Sequence, residues 1–176
     1  FYVETSDVNS EGVKGLDNSA RIRDYESQGV EVEATANLGN FSFFGGLTWT
    51  DAEISDSDTP EIIGNTPRRQ ADWAYSSTIT YSLRDHVAGL SLIGTTDSYT
   101  QDANDLEMDG YTTLNAFVDI ALAEGFSARI AVNNLTDEIG LTEVEENTPA
   151  TVNGQDLIRG RSIAGRSTSL ELKYEF

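Results

Sequence analysis

The chain has 176 residues, with 30 Asp or Glu against 11 Lys or Arg and a formal net charge of −19. That balance argues against a nucleic-acid partner and against an anionic cytoplasmic leaflet, since both are held by clustered Lys and Arg, and 38% apolar with 9% aromatic residues is too rich for a disordered acidic tail. With no cysteine, disulfides, thiolate metal sites and Cys nucleophiles are excluded, and the length fits one domain or a piece of a larger one.

The hydrophobic period is two almost throughout, the period of a strand whose side chains alternate between faces. A strand fragment at residues 1–4 opens the chain. Val30, Val32, Ala34, Ala36 and Leu38 share a face of the first full strand, and Phe41, Phe43, Leu47 and Trp49 line the next. Trp73, Tyr75, Ile79, Tyr81 and Leu83 follow, opposite Ser76, Thr78, Thr80 and Ser82. Leu90 and Leu92 mark a strand starting near His86. Leu114, Ala116, Val118, Ile120 and Leu122 alternate in another, and Phe126, Ala128, Ile130 and Val132 in the one after. Thr168, Leu170, Leu172, Tyr174 and Phe176 close the series, opposite Ser169, Glu171, Lys173 and Glu175. About seven full strands and a fragment are predicted, with no helix: an all-β, antiparallel chain. No apolar run is long enough for a transmembrane helix, and the N-terminus lacks the basic segment and apolar core of a signal peptide.

The connections alternate in length. Gly39-Asn40, Arg84-Asp85 and Glu124-Gly125 suit tight hairpins. Between them fall four long polar stretches, at residues 5–24, 52–71, 97–110 and 137–166. Short turns at one end and long loops at the other are the asymmetry of a transmembrane β-barrel. Strands of about ten residues, tilted near 45°, span the hydrocarbon. Aromatics fall near strand ends, as interfacial girdles do: Phe41, Phe126, Tyr174 and Phe176 at the short-turn end, Trp49 and Trp73 near the long loops. A soluble β-sandwich, carbohydrate-binding for instance, also alternates. The regular short–long alternation weighs against it.

The last strand, Ser167 to Phe176, resembles the final strand of Gram-negative outer-membrane proteins, in which a terminal Phe and alternating apolar residues are read by the barrel-assembly machinery. Here Leu170, Leu172, Tyr174 and Phe176 stand at those positions. More narrowly, the chain resembles the C-terminal part of a TonB-dependent outer-membrane receptor. Val132-Asn133-Asn134-Leu135-Thr136-Asp137-Glu138 is similar to that family's Asn-Leu-Phe-Asp segment, with Thr136 where Phe is usual. Tyr25 to Glu33 resembles its strand opening with an aromatic residue and then Gly-Val-Glu. Gly64-Asn65-Thr66-Pro67-Arg68-Arg69 before Trp73 looks like its Gly-Asn, Pro, Arg loop.

The resemblance implies a 22-stranded barrel around an N-terminal plug, with residues 1–176 as a C-terminal portion that contains about eight strands and neither the plug nor the earlier ones. It also implies the outer membrane of a Gram-negative bacterium, contact with its lipid, TonB bound through the absent plug, and uptake of a small scarce nutrient such as an iron chelate, cobalamin or an oligosaccharide. No enzyme and no cofactor are implied. A complete eight-stranded barrel with a structural or adhesive role is the alternative.

Candidate chemistry is sparse. His86, the only histidine, sits beside Asp85 in a tight turn, a poor place for a Ser-His-Asp triad. Gly45-Gly46 lies inside a strand and suits close packing rather than phosphate binding. Glu31 and Glu33 share a strand face; a glycosidase pair is possible in principle, but lining a hydrated lumen with Arg129 and Lys173 as partners is the preferred reading. The stretch with Asp97, Asp102, Asp105, Glu107 and Asp109 half-resembles a calcium loop from Asp105, but has Ala116 where the bidentate Glu belongs, so a solvated acidic loop is expected. Arg68 and Arg69 in one long loop, and Arg159, Arg161 and Arg166 in another, are candidates to hold an anionic ligand such as a ferric siderophore. Pairing with neighbouring carboxylates is the favoured alternative. Tyr99 and Tyr111, near loop bases, are candidates to stack on sugars.

Overall fold

A computed structural model describes residues 1–10, 21–145, 150–152, 155–157 and 159–176. The strands are β1 (Tyr2–Ser10), β2 (Arg21–Leu38), β3 (Phe41–Ser57), β4 (Trp73–Leu83), β5 (His86–Thr95), β6 (Ser98–Tyr99), β7 (Glu107–Met108), β8 (Tyr111–Ala123), β9 (Phe126–Asn133), β10 (Leu141–Val144), β11 (Ala150–Val152), β12 (Gln155–Leu157), β13 (Gly160–Ser162) and β14 (Ser167–Tyr174). Among the described residues the only helical element is one 3-10 turn, Pro60–Ile62. Eight strands form one antiparallel wall in the order β1-β2-β3-β4-β5-β8-β9-β14, with β1 and β14 as its two unpaired edges. The wall is therefore open, which counts against the complete eight-stranded barrel. The remaining strands make three small ribbons, β6 with β7, β10 with β13 and β11 with β12.

Register turns the sequence alternation into a two-faced wall. One row runs straight across seven strands as Leu38, Phe41, Tyr81, Ala88, Val118, Ile130 and Leu170. The neighbouring row on the other face runs Ser82, Val87, Asp119, Arg129 and Glu171. A one-residue slip in any ladder would carry apolar side chains to the polar face, so the pattern itself fixes the pairing.

Leu38, Phe41, Ile79, Leu90, Val118, Ile130, Leu170 and Leu172 are all exposed, and no second layer covers them. A sandwich would bury them. The larger buried apolar side chains among the described residues lie elsewhere, Ile54, Ile62, Met108 and Val144 at the long-loop end, and in the wall itself only the small Ala128 is buried. The chain keeps its core in its loops and leaves its wall bare.

Aromatic pairs mark both ends of the bare face. Phe41 meets Tyr81 at 4.7 Å between ring centroids and Phe126 meets Tyr174 at 4.4 Å near the tight turns; Trp49 faces Trp73 at 6.5 Å near the loops. From Phe41 to Trp49 the strand rises roughly 26 Å, or about 20 Å vertically at barrel tilt, close to the apolar band of an outer-membrane wall. On the polar face the Phe117 ring lies against Gly89, leaving no room there for a Cβ, and the Arg129 guanidinium lies over the same ring at 4.4 Å from its centroid. Arg129 also bonds Asp119 at 3.3 Å.

Three expectations need correcting. The tight turns stand where predicted, but β2 and β3 are far longer than their apolar stretches, at 18 and 17 residues. Much of the supposed long connections 5–24 and 52–71 is ladder, pairing Tyr25 with Ile54 and Asp24 with Asp56. Beyond the apolar band the outer face no longer has to be apolar, so side-chain alternation lapses while the backbone ladder continues, with Arg23 and Ile54 buried there against the loops. The rest of 5–24, and part of 137–166, lies outside the described residues. Second, Glu31 and Glu33 on β2 are five strand positions from Arg129 on β9, roughly 24 Å at 4.8 Å per strand. Arg129 is taken by Asp119, and Lys173 by Glu175 at 2.5 Å. Third, Asp102 is buried rather than solvated.

Ile130→Arg places a charge mid-way up the apolar face and should destabilise the full-length protein in a bilayer by about 2–4 kcal/mol. Ala131→Arg, on the polar face one residue on, should cost at least ~2 kcal/mol less. Urea titration of the protein folded into lipid vesicles measures both.

Candidate ligand-capture site at the loop end

The loop end is built on two buried polar hubs. The first is Asp102, in the connection between β5 and β8. Its Oδ2 pairs with Arg23 Nη1 at the far end of β2, and its Oδ1 accepts the Arg68 backbone N–H at 2.8 Å. Its backbone carbonyl accepts Asn65 Nδ2 at 2.8 Å. Two residues on, Asn104 takes the Thr66 N–H at 2.9 Å and returns a bond to the Thr66 carbonyl at 2.8 Å, with its own backbone in the left-handed region at φ 55°. The Arg69 N–H reaches the Tyr99 carbonyl at 2.7 Å. These bonds lock the β3–β4 and β5–β8 connections into one body.

That body has its own apolar filling. Ile54 is 0% exposed, and its backbone is bracketed by the loop, with its N–H on the Asn65 carbonyl at 2.9 Å and its carbonyl on the Gly64 N–H at 2.8 Å. Ile62 and Met108 complete it, each worth about 1.5–3 kcal/mol when fully buried. Asp97 accepts the Gly110 N–H at 2.7 Å, closing the base of the β6–β7 ribbon.

The second hub is Asn134, at the end of β9. With φ at 50° its amide turns inward: Oδ1 accepts the Glu138 N–H at 2.8 Å, and Nδ2 donates to the carbonyls of Glu138 at 2.9 Å and Ala164 at 3.0 Å. Asn115 Oδ1 accepts the Asn134 N–H at 2.8 Å. Asp137 then accepts the Arg166 N–H at 2.9 Å, just before β14 starts. The Asn-Leu-Thr-Asp stretch is thus a clamp that ends one wall strand and starts the next, and it gathers the last long connection at its base.

The candidate binding residues fall around these hubs. Arg69 Nη2 and Arg161 Nη1 both reach Glu143, at 3.1 and 3.4 Å, so two arginines from different loops share one carboxylate. Arg159 pairs with Glu145 at 3.5 Å, and Arg166 with Asp137 at 3.8 Å. Arg69, Arg159, Arg161 and Arg166 are thus paired with carboxylates, the alternative favoured from sequence. Tyr99 is half-buried on the β6–β7 ribbon. The Tyr111 ring lies where any side chain at Gly140 would sit, which packs the last loop onto the foot of β8.

The ion pairs differ sharply in energy. Arg23 and Asp102 have side chains only 8% and 6% exposed, so removing one partner strands a charge and costs about 3–5 kcal/mol. Arg159 and Arg161 are each 82% exposed, and surface pairs of that kind contribute about 1 kcal/mol or less. The loop end is rigid at its centre and exchangeable at its rim.

Comparison with known proteins agrees with this layout. The family described as "TonB dependent receptor-like, beta-barrel" matches residues 2–135. The chain belongs to that family. The family is one of transport receptors rather than an enzyme class. Among solved structures, the chain is similar to the ferric yersiniabactin uptake receptor FyuA from Yersinia pestis, with a TM-score of 0.77 and 20% identity over 99% of this chain and 26% of that one. It is similar to the ferric citrate transporter FecA, with a TM-score of 0.78 and 13% identity over 99% and 28%. The ferric preacinetobactin receptor BauA from Acinetobacter baumannii gives 0.72 and 16% over 99% and 26%. These likenesses show the fold. The chain spans about a quarter of the length of each. A search of curated protein sequences finds no match.

Sequence reasoning missed Arg23 and Asn134 as organising residues and misplaced Asp102. Ile54, Ile62 and Met108, apolar residues stranded in polar stretches, were the available sign that these connections have a core. Asp102→Ala should lower the stability of the loop body by about 3–5 kcal/mol, read as loss of hydrogen-exchange protection at the Arg68, Arg69 and Thr100 amides. Glu143→Ala should change the same amides by less than about 1 kcal/mol.

Proposed function

We propose that residues 1–176 are the C-terminal portion of the barrel of an active transporter in the outer membrane of a Gram-negative bacterium, with the plug and the earlier strands of a 22-stranded barrel supplied by the rest of the protein. The observation that carries this reading is the bare apolar face shared by seven adjacent strands of an open wall, with tight turns at one end and folded loops at the other. The apolar face meets lipid. The polar face meets the lumen and the plug.

In this reading the loop end captures a scarce nutrient too large for porins, and a metal chelate is the class that the ferric-chelate neighbours favour. Arg68, Arg69, Arg159 and Arg161 offer guanidinium donors around its rim, and Tyr99 and the outer side of Tyr111 offer aromatic surface. TonB, energised from the inner membrane, acts through the plug to release the ligand inward. Leu170, Leu172, Tyr174 and Phe176 on the last strand are the signal read during barrel assembly; all four are exposed, as a docking strand requires. The chain's own work is wall, rim and assembly rather than covalent chemistry.

In cells carrying the full-length receptor as their only route for iron chelates, radio-iron uptake should stop when TonB is deleted and when the proton gradient is collapsed. Uptake that survives both treatments overturns the proposal. In the same cells Leu172→Arg should cut the amount of receptor in purified outer membranes several-fold, since a charge on the lipid face costs up to about 2–4 kcal/mol.

A further inference from the structure

Glu143 has an unusual position. It is the carboxylate on which Arg69, from the locked loop body, and Arg161, from the opposite strand of the β10–β13 ribbon, converge. One oxygen goes to each, Oε1 to Arg69 and Oε2 to Arg161. Two guanidinium groups against one carboxylate leave a local surplus of one positive charge, in a chain whose total is −19.

The three partners are not equally free to move. Arg69 projects from a fixed backbone, with φ at 63° and its N–H bonded to the Tyr99 carbonyl. Glu143 lies on a ribbon whose next residue, Val144, is 1% exposed and anchors it. Glu143 itself is about one-third open to solvent, and Arg161 is almost fully open. Each guanidinium has five N–H donors in a planar fork, so both retain donors beyond the one aimed at Glu143. Asp102 makes the contrast: it is sealed between Arg23 and the Arg68 backbone, where no solute can compete.

We propose that Glu143 is a built-in stand-in for a carboxylate of the transported ligand. An incoming carboxylate takes the place of Glu143 between Arg69 and Arg161, accepting one hydrogen bond from each, and the freed Glu143 side chain turns to solvent. The exchange swaps one carboxylate for another, so no net charge is buried and no proton moves. The ligand class is a carboxylate-bearing chelate, recognised through one carboxylate that accepts a hydrogen bond from each guanidinium. This inference rests on the capture reading above and assigns the chemical group that the rim recognises.

The test uses the full-length receptor in outer-membrane vesicles, with citrate as the probe and trypsin cleavage after Arg161 as the readout. Citrate in the millimolar range should slow that cleavage, whereas sodium chloride or sulfate at equal ionic strength should not. Glu143→Gln removes the competing charge at nearly constant shape, and should lower the citrate concentration needed for half-protection about tenfold. Arg69→Gln, which leaves the cleavage site intact, should abolish protection. Equal protection by sulfate, no change in Glu143→Gln, or no protection by citrate in either protein overturns the proposal. TonB-dependent iron uptake measured on the same receptor separates the two readings. If uptake holds while citrate protection fails, the stand-in falls and the transporter remains. If uptake is independent of TonB, the transporter reading falls whatever citrate does.

Discussion

Backbone hydrogen bonding in a medium without water is the constraint on which the rest of this structure depends. A strand crossing hydrocarbon must find every partner in its neighbours, because an unpaired N–H or C=O there costs several kcal/mol. The ladders from β2 to β14, interrupted only by register shifts at Asp24/Tyr25 and Ala121/Ala123, meet that demand, and they fix everything else about the wall. Once register is set, period two decides which face each side chain takes. The bare face of Leu38, Phe41, Ile79 and Leu170 then follows without any packed layer to hold it.

The loop end obeys the opposite rule. Water is available there, so backbone pairing is optional and side chains carry the order. A few short polar residues do most of it: Asp102 and Asn104 join two connections, and Asn134 ends one strand and prepares the next. Their value lies in satisfying several backbone groups at once, which longer side chains do less economically in conformational entropy. The result is a buried, hydrogen-bonded centre under an exposed ring of arginines and carboxylates.

How much of this the sequence revealed follows the same division. Wall faces, tight turns and aromatic girdles were legible because they depend on side-chain alternation, and alternation is written residue by residue. Arg129 and Glu171 were rightly placed on the polar face, yet the partners guessed for Glu31 and Glu33 were wrong. Pairing across a wall depends on strand order in space, which face assignment alone does not supply. The upper ends of β2 and β3 were read as loop because Arg21 to Asp24 and Ala52 to Ser57 lack alternation, although the β2–β3 ladder continues there through a register shift between Asp24 and Tyr25. Asp102 read as a solvated acid because its partner, Arg23, is 79 residues away. The two arginine clusters were found from composition; that Arg69 and Arg161 meet on Glu143 was not, since only folding brings those loops together.

The long reach between Arg23 and Asp102 ties the loop body to the register of the wall. Each wall strand pairs with the strand that precedes or follows it in the wall's chain order, so the wall can zip up hairpin by hairpin with small loop-closure penalties. The Arg23–Asp102 contact is of a different kind, joining residues 79 apart. It spans β3, β4 and β5, and its ends come within reach only after those strands stand in register. This ion pair therefore reports on the whole wall beneath it: one ladder out of register would leave a lone guanidinium and a lone carboxylate facing an incomplete loop body.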